Sequence, residues 1–310
     1  MNYIISSTNP LIIYANIKGK KPHWAVAILL TFGFLIVGQL LGLLIQYPFE
    51  PLIKTLSNPT LKNTLTVLQE LILGYIPIIV MIFLWMYFYE KRPFSHLGFK
   101  KENALKLYFK GVNVGSVMFC SVVGVLALFH LVSWEIGNPL LQGKKMLFPT
   151  ILLLIGFIVQ GATEEILCRG WLMPILSARY NLWVGILLSS SLFGILHGFN
   201  EGVTFIAIVN IILVGIFFSL FALRQGSLWG ACGLHSIWNW LQGNFFGFQV
   251  SGHDGGPTLL NLKEIGSDWI TGGTFGPEAG IICTFIILLG IAIILFLNHL
   301  EKKKIQSQNL

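Results

Sequence analysis

Charged side chains are scarce in this sequence of 310 residues, of which Asp, Glu, Lys and Arg together make up 11%. Soluble domains carry about 25% charged residues, so the composition excludes an ordinary soluble protein. Hydrophobic residues make up 55% of the chain, and the mean hydropathy is +0.75. These values are typical of a polytopic membrane protein whose whole chain forms one bundle of helices.

Cysteine is also scarce, and no CxxC or other ligand spacing connects its four copies, so the sequence predicts neither a disulfide framework nor a zinc finger. The cysteines lie far apart in apolar runs, at Cys120, Cys168, Cys232 and Cys283. The net charge of +7 does not indicate a nucleic-acid partner, because the basic residues lie in loops between apolar runs and form no single basic face.

Apolar runs close to the ~20 residues needed to span a bilayer occur eight times. They predict an all-α polytopic membrane protein with about eight transmembrane helices in one bundle, over residues 1–310 as a single membrane domain. The runs lie near 24–47, 67–89, 107–132, 148–178, 183–199, 203–223, 227–248 and 279–299. No small-residue cleavage site follows the first run, which Lys18, Lys20 and Lys21 precede, so we expect a retained helix and not a signal peptide.

The positions of Lys and Arg predict how these helices are oriented. With the amino terminus inside, fifteen of the 20 Lys and Arg residues fall in or beside cytoplasmic segments, which satisfies the positive-inside rule. Both termini and the turn at Arg179 are then cytoplasmic, in an integral protein of the cell membrane. The Gly-rich, acidic loop 252–277 is expected outside, with His253 solvated there.

Two adjacent acids interrupt the fourth apolar run. On insertion scales, an ionised residue at the centre of a membrane helix costs roughly 2.5–3.5 kcal/mol of insertion free energy. The presence of Glu164, Glu165 and Arg169 in this run therefore requires an explanation. Glu165 and Arg169 are four residues apart, with the acid first, which favours an ion pair. Glu164 points about 100° away around the helix and has no such partner in its own helix. A functional group and a structural polar patch between helices are both open for this stretch.

Two further polar clusters lie in the following helices, Phe193 with His197 and His235 with Asn239. If the fourth and fifth helices form a hairpin, Glu164 and His197 both lie about 21 Å from its turn. His235 and Asn239 share one helix face, about 12 and 18 Å from the start of their own helix. The three clusters are therefore expected to converge in the cytoplasmic half or the middle of the membrane, within a core at 148–248.

These side chains suit the hydrolysis of a peptide bond. A carboxylate beside an imidazole can hold a water and take its proton, while a second histidine and an amide can donate to a developing oxyanion. No nucleophilic Ser or Cys is evidently placed, because Ser236 points elsewhere and Cys168 suits inert packing. Asn210 either faces the pocket or bonds across helices.

The three motifs together resemble those of the CAAX-protease and bacteriocin-processing family of intramembrane proteases, which includes abortive-infection-type membrane proteins. The family patterns Glu-Glu-x-x-x-Arg, Phe-x-x-x-His and His-x-x-x-Asn occur here over about 148–248, and Thr163 stands where some members have a third Glu. The resemblance implies that Glu164 with His197 activates water and that His235 and Asn239 form the oxyanion hole. It gives Glu165 and Arg169 supporting roles. It does not imply prenylated substrates.

The resemblance leaves the catalytic type open, because its members are commonly described as metalloproteases. Zinc would take Glu164, His197 and His235 as ligands, although the spacing is not the His-Glu-x-x-His pattern of helical zinc sites. A carboxylate–imidazole pair can instead activate water without a metal. We favour the glutamate mechanism, acting on a membrane-associated peptide or protein within the lipid bilayer. The alternatives are a catalytically silent immunity or scaffold protein and a transporter, although no pseudo-repeated pair of broken helices favours the latter. The sequence predicts no oligomeric state.

Overall fold

The structure, a computed structural model, describes residues 5–16 and 20–308 and is almost entirely helical there. Lys18 lies outside the described residues. A short antiparallel pair, β1 (Val132–Trp134) and β2 (Leu262–Glu264), joins two connecting loops. The helices are α1 (Pro10–Asn16), α2 (Trp24–Gln46), α3 (Glu50–Lys54), α4 (Pro59–Leu73), α5 (Ile76–Trp85), α6 (Ala104–Leu128), α7 (Leu147–Glu165), α8 (Met173–Arg179), α9 (Leu182–Leu196), α10 (Phe205–Gln225), α11 (Trp229–Trp240), α12 (Asp268–Thr271) and α13 (Ile281–Gln308).

Seven helical segments within the described residues are long and apolar enough to cross a membrane. This confirms the predicted class, an all-α polytopic membrane protein. The seventh apolar run, 227–248, also forms a helix, α11, which a π-helical segment continues over Leu241–Phe246. It is not among the seven spans, and nine of the 12 residues of α11 are buried, among them His235, Ser236 and Asn239. This helix therefore lies inside the bundle and not against lipid.

Small residues allow α11 to approach its neighbours closely. A Cβ on Gly111 of α6 would lie 1.8 Å from the carbonyl oxygen of Gly230, which no side chain could tolerate. On the other side, a Cβ on Gly161 of α7 would lie 3.3 Å from Cβ of His235. Such contacts are the usual way for membrane helices to pack without large apolar side chains. They place the polar face of α11 directly against the helix that carries the adjacent acids.

Several of the long helices are interrupted, in a way that the apolar runs did not predict. The run predicted at 67–89 is split between α4 and α5 at Gly74 and Tyr75, just before Pro77, which cannot donate a helical hydrogen bond. Helix α7 continues into a π-helical segment, Ile166–Leu172, before α8. Wide turns of this kind are frequent at functional sites, and this one directly follows Glu164 and Glu165.

The connecting segments collect at two opposite ends of the bundle. At one end, the amide of Leu228 donates to the carbonyl of Gly98, and Arg224 pairs with Glu301 at 3.0 Å. At the other end, β1 after α6 pairs with β2 of the loop that precedes α13. The segments that the charge pattern assigned to one side of the membrane thus share one end of the molecule. Which end is cytoplasmic stays a prediction.

The long connection between α11 and α13 folds back into the bundle. Phe275 is fully buried there, and Asn210 in α10 donates to the backbone oxygens of Glu278 and Gly280, at 2.8 and 2.9 Å. The loop predicted at 252–277 is therefore not wholly solvated. His253 is exposed, as expected.

Candidate active site

A cavity of about 490 Å³ lies where α2, α4, α7, α9 and α11 meet. Four of the six residues selected from the sequence line it: Glu164, His197, His235 and Asn239. The other two, Glu165 and Arg169, are completely buried behind the wall. Glu164 lies near the middle of the continuous helical segment 147–179. The structure thus brings the three polar clusters to one cavity.

Glu164 is held on one side only. Its Oε1 accepts a hydrogen bond of 2.6 Å from Gln160, and Gln160 in turn accepts one of 2.9 Å from the amide of Asn239. The expectation that Glu164 lacks a partner in its own helix is therefore wrong, because Gln160 lies one turn earlier on the same face. Its other oxygen, Oε2, is buried and has no hydrogen-bond partner among the described residues; Nε2 of His235 lies 3.6 Å away. This oxygen therefore has hydrogen-bonding capacity that no described residue uses.

Glu165 and Arg169 form the predicted ion pair, with 2.9 Å between Oε1 and Nη1. The guanidinium also lies 4.3 Å above the ring of Phe193 and 5.4 Å from that of Phe218, both favourable for a cation. Its Nε and Nη2 have no hydrogen-bond partner among the described residues. The aromatic rings therefore supply part of the environment that water would otherwise give this buried cation.

The ring of His235 lies between the two acids. Its Nδ1 is 3.0 Å from Oε1 of Glu165, and its Nε2 faces Glu164. A neutral ring that donates from Nδ1 offers a lone pair at Nε2, whereas an imidazolium donates from both nitrogens. Both acids are hydrogen-bond acceptors when ionised. The two negative charges of Glu164 and Glu165 then balance the positive charges of Arg169 and a protonated His235.

His197 reaches the cavity from the end of α9, in the short 3₁₀ turn His197–Phe199. Its Nδ1 lies 2.8 Å from the carbonyl oxygen of Phe193, one turn earlier. A carbonyl can only accept, so Nδ1 carries a proton, and the neutral ring then has its lone pair at Nε2. Phe193 packs edge-on to His197, with ring centroids 4.6 Å apart. The Phe-x-x-x-His motif thus sets both the orientation and the tautomer of the histidine.

Several lining residues were missed by the sequence reasoning. Gln160 could have been found, since it precedes Glu164 by one helical turn, but a glutamine in an apolar run carries little signal by itself. Tyr75, at the break between α4 and α5, also lines the cavity, as do Val250 and Ser251 of the long connection. Nothing in their local sequence indicates this position, because tertiary folding alone brings them there.

The remaining polar candidates have structural contacts. Ser236 donates to the carbonyl of Cys232 at 2.7 Å, and Thr163 donates to that of Val159 at the same distance. Cys168 is a buried free thiol at the cavity wall. Asn210, whose position was open, bonds across the bundle to the long connection.

The residues named for zinc do not form a ligand set. Within residues 5–16 and 20–308, no three His, Cys, Asp or Glu side chains converge as ligands of one ion. Catalytic zinc takes three protein ligands at about 2.0–2.2 Å and a water. We therefore derive no step through a metal.

The fold and the cavity define a polytopic helical membrane protein with a buried acid–histidine site. The family model for "Type II CAAX prenyl endopeptidase Rce1-like" matches residues 146–241, about a third of the chain, which confirms the resemblance to the CAAX-protease and bacteriocin-processing family. At family level this supports a CAAX-type intramembrane endopeptidase. No curated protein and no solved structure matches the chain.

Proposed function

We propose that the protein hydrolyses a peptide bond of a membrane-associated peptide or protein in the cavity beside Glu164. The observation that carries the proposal is the position of Glu164, which lines the cavity and whose Oε2, 3.6 Å from Nε2 of His235, has no hydrogen-bond partner among the described residues. A carboxylate in this position can bind a water and accept its proton. His197 lines the same cavity with a lone pair at Nε2, which is suited to hold that water.

The bond-breaking steps follow from this assignment. Glu164 takes a proton from water, the resulting hydroxide adds to the peptide carbonyl, and negative charge develops on the carbonyl oxygen. His235, as an imidazolium with Nε2–H, and the amide of Asn239 donate to that oxyanion. Asn239 gives one N–H to Gln160 and retains a second. The C–N bond then breaks as the proton held by Glu164 passes to the leaving amine.

Glu165 and Arg169 support the site without touching the substrate in this scheme. Glu165 fixes the ring of His235 through Nδ1, and Arg169 pairs with Glu165 and holds its carboxylate in place. Such orienting partners commonly decide whether a catalytic histidine is held in a productive geometry.

The walls of the cavity favour a substrate that comes from the membrane. Most of the lining side chains contributed by α2, α4 and α9 are apolar, among them Phe32, Leu35, Ile36, Leu71 and Leu196. No lysine or arginine of the described residues lines it. An apolar segment can enter such a cavity with little loss of solvation.

The test uses an internally quenched peptide with one hydrophobic transmembrane segment, incubated with the purified protein in micelles. Wild type is expected to cleave it and Glu164→Gln is not. Equal cleavage by both proteins would refute the role of Glu164. No cleavage of this probe, or of any membrane peptide in cells, would favour the silent immunity or scaffold alternative.

The catalytic type is tested separately by stripping the active protein with a strong chelator and measuring activity and bound metal. Activity that survives supports the glutamate mechanism. Activity that is lost and returns with stoichiometric zinc would contradict it.

A further inference from the structure

Three backbone segments interlock beside the cavity, at 200–202, 249–252 and 274–278. The amide of Gly252 donates to the carbonyl of Phe275 at 3.0 Å. A Cβ on Gly252 would lie 2.1 Å from the carbonyl oxygen of Glu201, and one on Gly202 would lie 2.2 Å from Oγ1 of Thr274. The first segment directly follows the turn that carries His197. The position of that turn therefore depends on the other two segments.

A buried carboxylate lies at the centre of this arrangement. Glu278 is 4% exposed, and its Oε1 accepts a hydrogen bond of 2.5 Å from the hydroxyl of Ser251. Its backbone oxygen accepts from Asn210 in α10, and Asn210 accepts from Thr284 in α13 at 2.7 Å. Glu278 is thus fixed to two membrane helices on one side and to Ser251 on the other.

Ser251 passes this restraint toward the catalytic cavity. Its carbonyl oxygen accepts a hydrogen bond of 2.9 Å from the side chain of Asn200, whose backbone amide donates to the carbonyl of His197 at 3.1 Å. Ser251 has φ of 49°, a conformation that is uncommon for residues other than glycine and needs surrounding contacts to hold it. It also lines the cavity itself.

We propose that Glu278 is a positioning residue for the hydrolysis, which holds the turn of His197 in place through Ser251 and Asn200. The inference rests on the proposed function, since it assigns a kinetic consequence to this chain of contacts. Burial raises the pKa of Glu278 to about 7, so an acid in this place opposes folding at neutral pH. The contact that offsets this cost is the hydrogen bond from the hydroxyl of Ser251, which requires an oxygen acceptor at this position.

The kinetic test compares Glu278→Ala, Ser251→Ala and Glu278→Gln, with the internally quenched transmembrane peptide as the probe. Both alanine variants are expected to lower kcat on the order of tenfold or more, because a displaced catalytic group costs rate more than affinity. Glu278→Gln should stay close to wild type, since its amide oxygen still accepts from Ser251. The matched control is Glu264→Ala: Glu264 is another loop acid whose pKa burial raises to about 7, but it lines a different cavity.

Three kinetic results would overturn the proposal: an unchanged kcat in Glu278→Ala, a change confined to KM, or an equal loss in Glu264→Ala. An equal loss in Glu278→Gln and Glu278→Ala would also contradict it, because the hydrogen bond would then not be the relevant contact.

A second measurement does not depend on cleavage. Hydrogen exchange in lipid nanodiscs should show faster exchange of residues 197–204 in Glu278→Ala, and no such change in Glu264→Ala. Unchanged exchange in Glu278→Ala would refute the linkage, whether or not the protein is a protease. If the wild type were inactive but Glu278→Ala still exchanged faster at residues 197–204, the proposed function and the kinetic role of Glu278 would be refuted. The chain of contacts from Glu278 to the turn of His197 would still stand.

Discussion

The carboxylate of Glu165 in α7 holds the ring of His235 in α11, with 3.0 Å between Oε1 and Nδ1. The same oxygen lies 2.9 Å from Arg169, so Glu165 is committed on the side away from the cavity. Its neighbour Glu164 lines the cavity, whereas the side chain of Glu165 is completely buried. Adjacent glutamates thus have different environments, and we assign them different functions.

Substituting the two acids should separate these functions. Glu164→Gln is expected to abolish cleavage and leave the fold intact, since it removes the base but keeps the shape. Glu165→Gln should reduce both activity and stability, because breaking a fully buried pair costs on the order of 3–5 kcal/mol. Cleavage assays and thermal unfolding in detergent measure the two effects. If Glu164→Gln were the less stable variant, the assigned roles would be reversed or wrong.

Gly215 in α10 is expected to be intolerant of a side chain. A Cβ there would lie 2.8 Å from Cβ of Ser190 and 3.0 Å from Nη2 of Arg169, so Gly215→Ala should push the guanidinium away from Glu165. Overpacking of this kind costs roughly 1–3 kcal/mol. The control is Gly33→Ala in α2, where no atom lies within 4 Å of the new Cβ and alanine favours the helix. The unfolding temperature should fall for Gly215→Ala and not for Gly33→Ala. An equal unfolding temperature of the two variants would contradict this packing.

The stability of the fold should depend on the ionisation of Glu278. Burial raises its pKa from 4.5 to about 7, although hydrogen bonds from Ser251 and the field of His235 act the other way. The folded state therefore binds the proton more tightly than the unfolded state. The stabilisation by protonated Glu278 is complete below the pKa that this residue has in the unfolded chain, and it is lost as pH rises through the pKa in the folded state. The total loss in the free energy of unfolding is on the order of 3 kcal/mol.

Glu278→Gln stays neutral and should remove this dependence. The variant is expected to match wild type near pH 4.5 and to unfold at a higher temperature above about pH 7. Melting curves in detergent across this range measure the difference between the two proteins. Parallel curves for wild type and variant would show that Glu278 does not titrate as its surroundings indicate.

The orientation in the membrane can be tested with two single-cysteine variants. Cys120 is exposed and must first be replaced by serine, whereas the other three cysteines are buried. Lys263 in β2 and Lys303 at the end of α13 lie at opposite ends of the bundle and are both exposed. An impermeant maleimide should label Lys263→Cys in intact cells and Lys303→Cys only after permeabilisation. The reverse pattern would invert the predicted topology.

The sequence was sufficient for the class of fold and for the meeting of the polar clusters. Apolar runs determine where helices form in a membrane, and the spacing of Glu164 and His197 from their shared turn placed them at similar depth. The pair of Glu165 and Arg169 followed from local helix geometry alone. These features depend on short sequence distances, which a single sequence records well.

Features that depend on contacts between distant segments were beyond the sequence. The contact of His235 with Glu165 joins residues 70 positions apart and depends on the rotation of α11 against α7. Nothing in the sequence indicated that the connection after α11 reaches the cavity, which Val250 and Ser251 line. Glycine-mediated close approaches decide both arrangements, and they do not show in hydropathy or in the period of a helix.

The most direct test of the central claim is a comparison of membrane peptides, by mass spectrometry of new protein termini, in cells that express wild type or Glu164→Gln at equal levels. We expect a set of cleaved peptides, with new termini within or beside apolar segments, that is present with wild type and absent with the variant. Identical sets of termini in the two samples, with both proteins folded in the membrane, would contradict the claim that Glu164 carries out peptide-bond hydrolysis.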